Sequence, residues 1–199
     1  MARHTTRASS RRGWCAPLLL SLLASGCYLG GARPFDRSAL SSNRDWITTA
    51  PVPEILQQGE RDCGAAAAAM LLGYWGFPTE QSAVRAASAL PGEQALPATF
   101  LRTYLKSRGL VAFLIQGTLA DLEGELRAGH PVIVGVVKPY LIASYAHYLV
   151  VVGLNRVEGE IAVVDPADGW RSYSFDAFGK EWVLAHSLTI VVSRDARLQ

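Results

Sequence analysis

Three segments rich in Val and Ile dominate the second half of the chain and constrain its fold more than any other feature. They lie at residues 131–137, 147–154 and 161–164, and each has the length of a typical strand. Glu158 and Gly159 favour a tight turn, so the last two segments are predicted to form an antiparallel hairpin. Such a hairpin returns the end of its second strand to the start of its first.

The first half of the chain has a different pattern. Helices are predicted at residues 62–75, 79–89, 97–107 and 118–127. The first of these is rich in Ala, follows Asp62 as an N-cap and ends at Gly76. Further strands are predicted at 111–115, 171–175 and 187–192, with a short helix at 176–183. Helices followed by strands predict an α+β fold.

Residues 1–27 are typical of a bacterial lipoprotein signal peptide. A basic, polar start is followed by an apolar stretch at 14–24, which is shorter than the roughly 20 residues of a membrane span but suits the core of a signal peptide. It ends in Ala24-Ser25-Gly26-Cys27, which resembles the lipobox in which the cysteine is diacylated and becomes the new N-terminus. An ordinary signal peptide cleaved nearby is the alternative.

These features predict that the chain is exported and lipid-anchored at Cys27 in the bacterial cell envelope. Tyr28, rather than Asp, follows the cysteine, which favours the periplasmic face of the outer membrane. Residues 28–50 are rich in Gly, Ser, Arg and Asn without sustained periodicity, so they are predicted to be a flexible tether. One domain is predicted at 51–199.

The net charge of +2 belongs to the signal peptide rather than to the domain. Four of the 19 Lys and Arg residues lie within residues 1–27, whereas all 17 Asp and Glu residues follow it. No basic patch remains that would indicate a nucleic-acid partner. The histidines are scattered without the spacing of a metal site, so neither a metal nor another cofactor is predicted.

Cys63 is a candidate nucleophile. Cys15 leaves with the signal peptide and Cys27 carries the lipid, so Cys63 is the one thiol left in the domain and a disulfide framework is excluded. It lies in the first turn of a predicted helix, where unpaired N–H groups and the helix dipole favour the thiolate. Gly64 is predicted to let a substrate backbone approach closely. The position alone suits a small packing residue equally well.

His147 is the candidate base because it begins a strongly apolar strand, where a side chain is held rigidly. A strand-end histidine with a structural hydrogen bond is the alternative. The predicted hairpin returns Asp165 to the neighbourhood of His147, although the strand register is not fixed by the sequence. Asp165 precedes Pro166 and also fits a turn, and Asn155 is another candidate to orient the histidine.

Taken together, these residues resemble a known family. Gln57, five residues and then Cys63-Gly64 are similar to the nucleophile motif of the double-glycine leader peptidases, papain-like domains usually fused to bacteriocin-exporting transporters. The run from His147 to Gly153 resembles the strand that the family's histidine opens, and Asp165-Pro166 matches its aspartate pair. The resemblance covers about residues 53–192.

This resemblance implies a papain-like fold, with a helical half followed by an antiparallel sheet, and a cysteine peptidase. It implies that Cys63 attacks a peptide carbonyl, that His147 transfers the proton and that Asp165 orients the imidazole. The side chain of Gln57 and the backbone N–H of Cys63 would stabilise the oxyanion. Gln58 takes this role if the loop is shifted by one residue.

The predicted function is therefore an envelope cysteine endopeptidase acting on a peptide or protein substrate, with cleavage after small residues such as Gly-Gly as one option. The sequence carries no Walker-type phosphate loop, so a transporter or secretion partner is expected to be encoded separately. Gly30-Gly31 offers a site for self-cleavage, with a plain linker as the alternative. A cell-wall peptide amidase or transpeptidase and a non-catalytic peptide-binding lipoprotein are the competing functions.

Overall fold

The computed structural model describes residues 28–194. Five of the six helices in this part of the chain come before residue 132, and five of its eight strands begin at or after that residue. The helices are α1 (Ala39–Ser42), α2 (Cys63–Tyr74), α3 (Gln81–Ala87), α4 (Ala98–Ser107), α5 (Leu119–Arg127) and α6 (Phe175–Leu184). The strands are β1 (Arg33–Pro34), β2 (Trp46–Thr48), β3 (Val111–Gln116), β4 (Val132–Pro139), β5 (Ser144–Asn155), β6 (Glu160–Asp165), β7 (Gly169–Ser174) and β8 (Leu188–Ser193). Every helix and strand predicted from residue 62 onwards is present, with ends within a few residues of the prediction.

The strands form one antiparallel sheet in the order β1-β7-β6-β5-β4-β8-β3, and β2 pairs with the end of β5 that β4 leaves free. This architecture confirms the predicted α+β class. The β5–β6 hairpin is also present, and Gly159 in its turn has a φ of 68°, a left-handed conformation that favours glycine. Asn155 accepts hydrogen bonds from the N–H groups of Val157 and Glu158, both at 3.0 Å. It therefore stabilises the turn at the far end of β5 and does not orient His147.

Helices cover both faces of the sheet. Alternate residues of β5 point to opposite faces, so Val150 and Val152 pack towards α2 while Leu149 and Val151 pack towards α5 and α6. The five alanines at 65–69 are fully buried or nearly so, and their small side chains let α2 lie close to the strands. This contact fixes the start of α2 relative to β5.

The prediction that residues 28–50 form a flexible tether is corrected by the structure. β1 pairs with β7, β2 pairs with β5, and Trp46 is only 7% exposed. The Trp46 ring meets Phe35 edge to face, with 5.3 Å between ring centroids. Gly153 makes room for it, because a Cβ there would lie 3.1 Å from Trp46 Cε3. Such short strands carry no periodic pattern of their own and depend on pairing with distant strands.

The predicted signal peptide and Cys27 lie outside the described residues. Within residues 28–194, no helix is long and apolar enough to cross a membrane.

Candidate active site

Cys63 is the first residue of α2, and it is 4% exposed. The loop before it is held by Arg85 of α3, whose Nε donates to Asp62 Oδ1 at 2.7 Å and whose guanidinium also donates to the carbonyl of Arg61. Asp62 makes no capping hydrogen bond to α2, which corrects its predicted role as an N-cap. Because Asp62 pairs with Arg85 instead, its carboxylate does not satisfy the N–H groups of the first turn.

His147 and Asp165 form a direct hydrogen bond, with His147 Nε2 2.6 Å from Asp165 Oδ1. The hairpin register pairs Val150 with Val164 and so brings the end of β6 beside the histidine. Asp165 is fully buried, and its Oδ1 also accepts from the N–H of Ala167 at 2.8 Å. β5 begins at Ser144, so His147 lies inside the strand rather than opening it as predicted.

The protonation equilibria of Cys63 and His147 are shifted in opposite directions. Burial lowers the pKa of His147, but hydrogen bonds and charge from Asp165 and Cys63 outweigh this and raise it to about 9. Burial raises the pKa of the Cys63 thiol, but the hydrogen bond and charge of His147, with the N–H groups of Tyr148 and Gly64, bring it below its ordinary value. Since Nε2 of His147 is engaged by Asp165, Nδ1 is the ring nitrogen that remains for another partner. The two pKa shifts favour the thiolate form of Cys63 and the imidazolium form of His147.

Lys138 belongs to this cluster and was not predicted. Its Nζ donates to Asp165 Oδ2 at 2.6 Å and to Asp168 Oδ2 at 3.1 Å, and the residue is 3% exposed. Burial raises the pKa of Asp165, but the hydrogen bonds and charges of His147 and Lys138 hold it well below its usual range. Lys138 comes from β4 and lies opposite Tyr145 of β5. Only the β4–β5 register brings Lys138 to the site, and no sequence signal defines that register.

Gln57, the predicted oxyanion donor, lies in the loop that precedes α2. Its backbone N–H donates to the Pro166 carbonyl at 2.7 Å, which ties it to the residue after Asp165. Its Nε2 donates one hydrogen to the Gly59 carbonyl at 3.0 Å, so the second hydrogen is available to a ligand. Its Oε1 is buried and has no hydrogen-bond partner within residues 28–194.

Gln57 and His147 line the same cleft of about 290 Å³, together with Tyr140 and Tyr145. Gln58 instead lines a separate pocket between this loop and α2. The geometry therefore favours Gln57 over Gln58 as the oxyanion donor.

The role of Gly64 in letting a substrate approach stays a prediction. Gly64 is buried, and a Cβ at this position would lie 3.2 Å from Tyr148 Cδ2 and 3.3 Å from Leu101 Cδ1. The missing side chain therefore allows the Tyr148 ring to pack on α2. The hydroxyl of that ring donates to the Leu96 carbonyl at 3.1 Å, which fixes its orientation.

Gly30 and Gly31, the sequence candidate for self-cleavage, pack against α6 in the structure. The N–H of Gly31 donates to Glu181 Oε1 at 3.2 Å, and a Cβ on Gly31 would lie 2.1 Å from Ala177 Cβ. Close packing against a helix therefore accounts for the two glycines.

The structure combines a buried cysteine at a helix start, a histidine hydrogen-bonded to a buried aspartate, and a glutamine that shares a cleft with that histidine. This residue set is typical of a papain-like cysteine hydrolase. Residues 52–195 match the model of the Peptidase C39 family, so the chain belongs to that family and is a cysteine peptidase. Gln57, Cys63, His147 and Asp165 all lie within the matched residues.

The chain is similar to a short part of one transport protein, and its fold is similar to transporter peptidase domains. It is 32% identical over 130 residues to the Lactococcin-A transport/processing ATP-binding protein LcnC of Lactococcus lactis; that match covers 63% of this chain and 17% of the length of that protein. Its fold is similar to the peptidase domain of Streptococcus ComA, a bi-functional ABC transporter, with a TM-score of 0.59, 24% identity and coverage of 71% of this chain and 97% of that one.

Two further solved structures share the fold. A double glycine motif protease from an AMS/PCAT transporter, in complex with the leader peptide, gives a TM-score of 0.59 at 20% identity and covers 73% of this chain and 93% of that one. A C39-like peptidase from Bacillus anthracis gives a TM-score of 0.56 at 15% identity, and the match covers 74% of this chain and 97% of that one. These likenesses support the papain-like fold.

Proposed function

We propose that this C39 peptidase is an endopeptidase of the bacterial cell envelope that cuts a peptide or protein through Cys63, His147 and Asp165, with Gln57 as an oxyanion donor. The observation that carries the proposal is the 2.6 Å hydrogen bond between His147 and the buried Asp165. It is supported by the pKa values of Cys63 and His147, which move in opposite directions because each group influences the other.

In the proposed reaction, the Cys63 thiolate attacks the carbonyl carbon of the scissile bond. The oxyanion accepts hydrogen bonds from Gln57 Nε2 and the Cys63 backbone N–H. His147 Nδ1 then gives its proton to the departing amine, which leaves a thioester on Cys63. A water molecule gives a proton to the same nitrogen as it attacks the thioester, and Cys63 departs as thiolate. Asp165 keeps Nε2 protonated and the ring in position throughout.

The proposed substrate is a peptide cut after small residues such as Gly-Gly. Two relatives are described as a transport/processing protein and as a double glycine motif protease bound to a leader peptide, and both descriptions favour a peptide substrate. The cleft of about 290 Å³ lined by Gln57, Tyr140 and Tyr145 is the proposed binding site for the residues next to the scissile bond. Because those relatives are transporters, a transporter or secretion partner encoded separately is part of the proposal.

The envelope location is proposed from the sequence of residues 1–27, which ends at the candidate lipidated Cys27. A lipid anchor there would hold the domain at a membrane surface, on the periplasmic face of the outer membrane.

The proposal is tested by comparing protein N-termini in the native host with those in a Cys63→Ala strain. We expect a defined set of N-termini, preceded by small residues, to disappear in Cys63→Ala and to persist in Gln58→Ala, which changes a neighbour of Gln57 outside the cleft. Identical protein N-termini in the wild type and the Cys63→Ala strain would contradict the proposed endopeptidase activity in the cell envelope. Altered wall muropeptides with unchanged protein N-termini would instead favour the amidase or transpeptidase.

A further inference from the structure

The hairpin that joins β4 and β5 exposes an apolar tip beside the active-site cleft. Leu141 and Ile142 in its turn are 68% and 85% exposed, and Tyr145, which also borders the cleft, is 46% exposed. No charged residue occurs from position 139 to position 146. Exposed apolar side chains grouped in this way are typical of a contact surface.

The described part of the chain begins on this same hairpin. Tyr28 forms a β-bridge with Tyr140, and the N–H of Leu29 donates to the Pro139 carbonyl at 2.9 Å. The rings of Tyr28 and Tyr140 are 5.6 Å apart between centroids, as are those of Tyr140 and Tyr145. Leu29 is 59% exposed and extends the apolar area. The tip surface is defined here as Leu29, Leu141, Ile142 and Tyr145.

The position of Tyr28 indicates what covers the tip surface. Cys27 precedes Tyr28 directly in the sequence. Acyl chains on Cys27 would therefore enter a bilayer at this end of the molecule. We propose that the tip surface rests on the lipid bilayer, with Leu141 and Ile142 among the lipid head groups and the neighbouring tyrosine rings at the interface.

This inference rests on the proposed lipid anchor and goes beyond the proposed function, because it orients the enzyme. Tyr145 and His147 lie on the same face of β5, since alternate residues of a strand share a face. The cleft therefore opens next to the bilayer, and a chain that reaches Cys63 runs along the membrane surface. The substrate class is then a peptide held at, or emerging from, a membrane.

The test places a fluorophore on the full, lipidated chain in vesicles of phosphatidylethanolamine and phosphatidylglycerol that contain doxyl-labelled phosphatidylcholine. The label is attached to Ile142→Cys or, as the matched control, to Val157→Cys, each in a Cys63→Ala background. Val157 is 76% exposed in the turn at the opposite end of β5, about 35 Å away at a rise of roughly 3.3 Å per residue. We expect emission from position 142 to shift to the blue and to be quenched by the doxyl lipid, and emission from position 157 to do neither.

Equal quenching at the two positions would overturn the inference. A blue shift at position 142 that appears with an added apolar peptide and needs no vesicles would also overturn it, because the tip surface would then bind substrate. Mass spectrometry of the same preparation shows whether Cys27 is acylated, and an unacylated Cys27 overturns the orientation. Peptide hydrolysis by the chain with Cys63 intact is measured separately, so a catalytic failure is distinguished from a failure of membrane contact.

Discussion

The opposed pKa shifts of Cys63 and His147 predict the pH range of activity. The thiolate forms above the lowered pKa of Cys63, and the imidazolium is lost as the pH rises through about 9, so kcat/KM is expected to be bell-shaped between these limits. Asp165→Asn removes the carboxylate that raises the pKa of His147, so the alkaline limb should move to lower pH. Initial rates of peptide cleavage against pH measure both limbs.

The control for this prediction is the alkylation of Cys63 by iodoacetamide in urea-unfolded protein, where the thiol should titrate at its ordinary value. An identical alkylation profile in the folded protein would mean that His147 does not activate Cys63.

Lys138 is predicted to hold the Asp165 carboxylate in place and to set its charge. Lys138→Met leaves a fully buried carboxylate without one of its two cationic partners, which should lower the free energy of unfolding by about 3 kcal/mol. Asp165 would then share its charge with His147 alone, so the pKa of His147 and the alkaline limb of kcat/KM should rise. Urea unfolding and the pH profile measure the two effects.

The matched control is Lys180→Met, which breaks an ion pair with Asp176 whose side chains are 73% and 76% exposed. Such a surface pair contributes little, and it lies on α6 rather than in the site. If Lys138→Met and Lys180→Met gave the same stability and the same pH profile, the assigned role of Lys138 would be wrong.

Gln57 is expected to act on the transition state rather than on substrate binding. Gln57→Ala should lower kcat about 100-fold with little change in KM, because the oxyanion forms only during the reaction. Gln58→Ala changes the adjacent residue in the other pocket and should leave both constants unchanged. Steady-state kinetics of both variants on one peptide measures these effects. A large loss of kcat in Gln58→Ala, with none in Gln57→Ala, would show that the loop is shifted by one residue.

At the level of elements, the N-terminal segment is predicted to be part of the folded domain. Trp46→Ala removes a buried ring that packs on Phe35 and Gly153, and it should lower the free energy of unfolding by about 3 kcal/mol. Phe113→Ala removes a ring that is 58% exposed and serves as the control. Urea denaturation measures both, and equal effects would restore the tether interpretation.

The strands and the proximity of His147 to Asp165 were predictable from the sequence because they depend on local signals. The Val-rich runs and the Glu158-Gly159 turn define the β5–β6 hairpin, and that hairpin alone brings Asp165 to His147. Lys138 was missed because its position depends on the register of a different strand pair. Trp46 was missed for a related reason, since β2 exists only through its pairing with β5.

Gly64 shows a further limit of the sequence. A glycine beside the candidate nucleophile predicts room for a substrate, and the structure shows that the Tyr148 ring packs where a Cβ at Gly64 would lie. Which of several neighbours fills the space beside a glycine is decided by tertiary packing, and the local sequence does not encode it.

For the whole molecule, the candidate active site and the start of the described chain lie at the same end of the sheet. Lys138, His147 and Asp165 all occur at the end of β4, β5 and β6 where Tyr28 bridges Tyr140. A lipid on the preceding residue, Cys27, would therefore hold the cleft at the membrane without any membrane-spanning helix in the described residues. In this proposal the location of the enzyme depends on Cys27 and its chemistry depends on Cys63, so mutation of one cysteine at a time separates the two properties.

Cys27→Ser is expected to release the enzyme from the membrane fraction while leaving its kcat/KM on a soluble peptide unchanged, because Cys27 takes no part in the chemistry. Cleavage of the envelope substrate should fall several-fold, since the cleft no longer faces the membrane. Cys63→Ala is the reciprocal control, which should stay in the membrane fraction and lose all cleavage. Cell fractionation and N-terminal proteomics of the three strains measure both properties. A Cys27→Ser protein that remained membrane-bound and cut as efficiently as the wild type would show that anchoring does not depend on this residue.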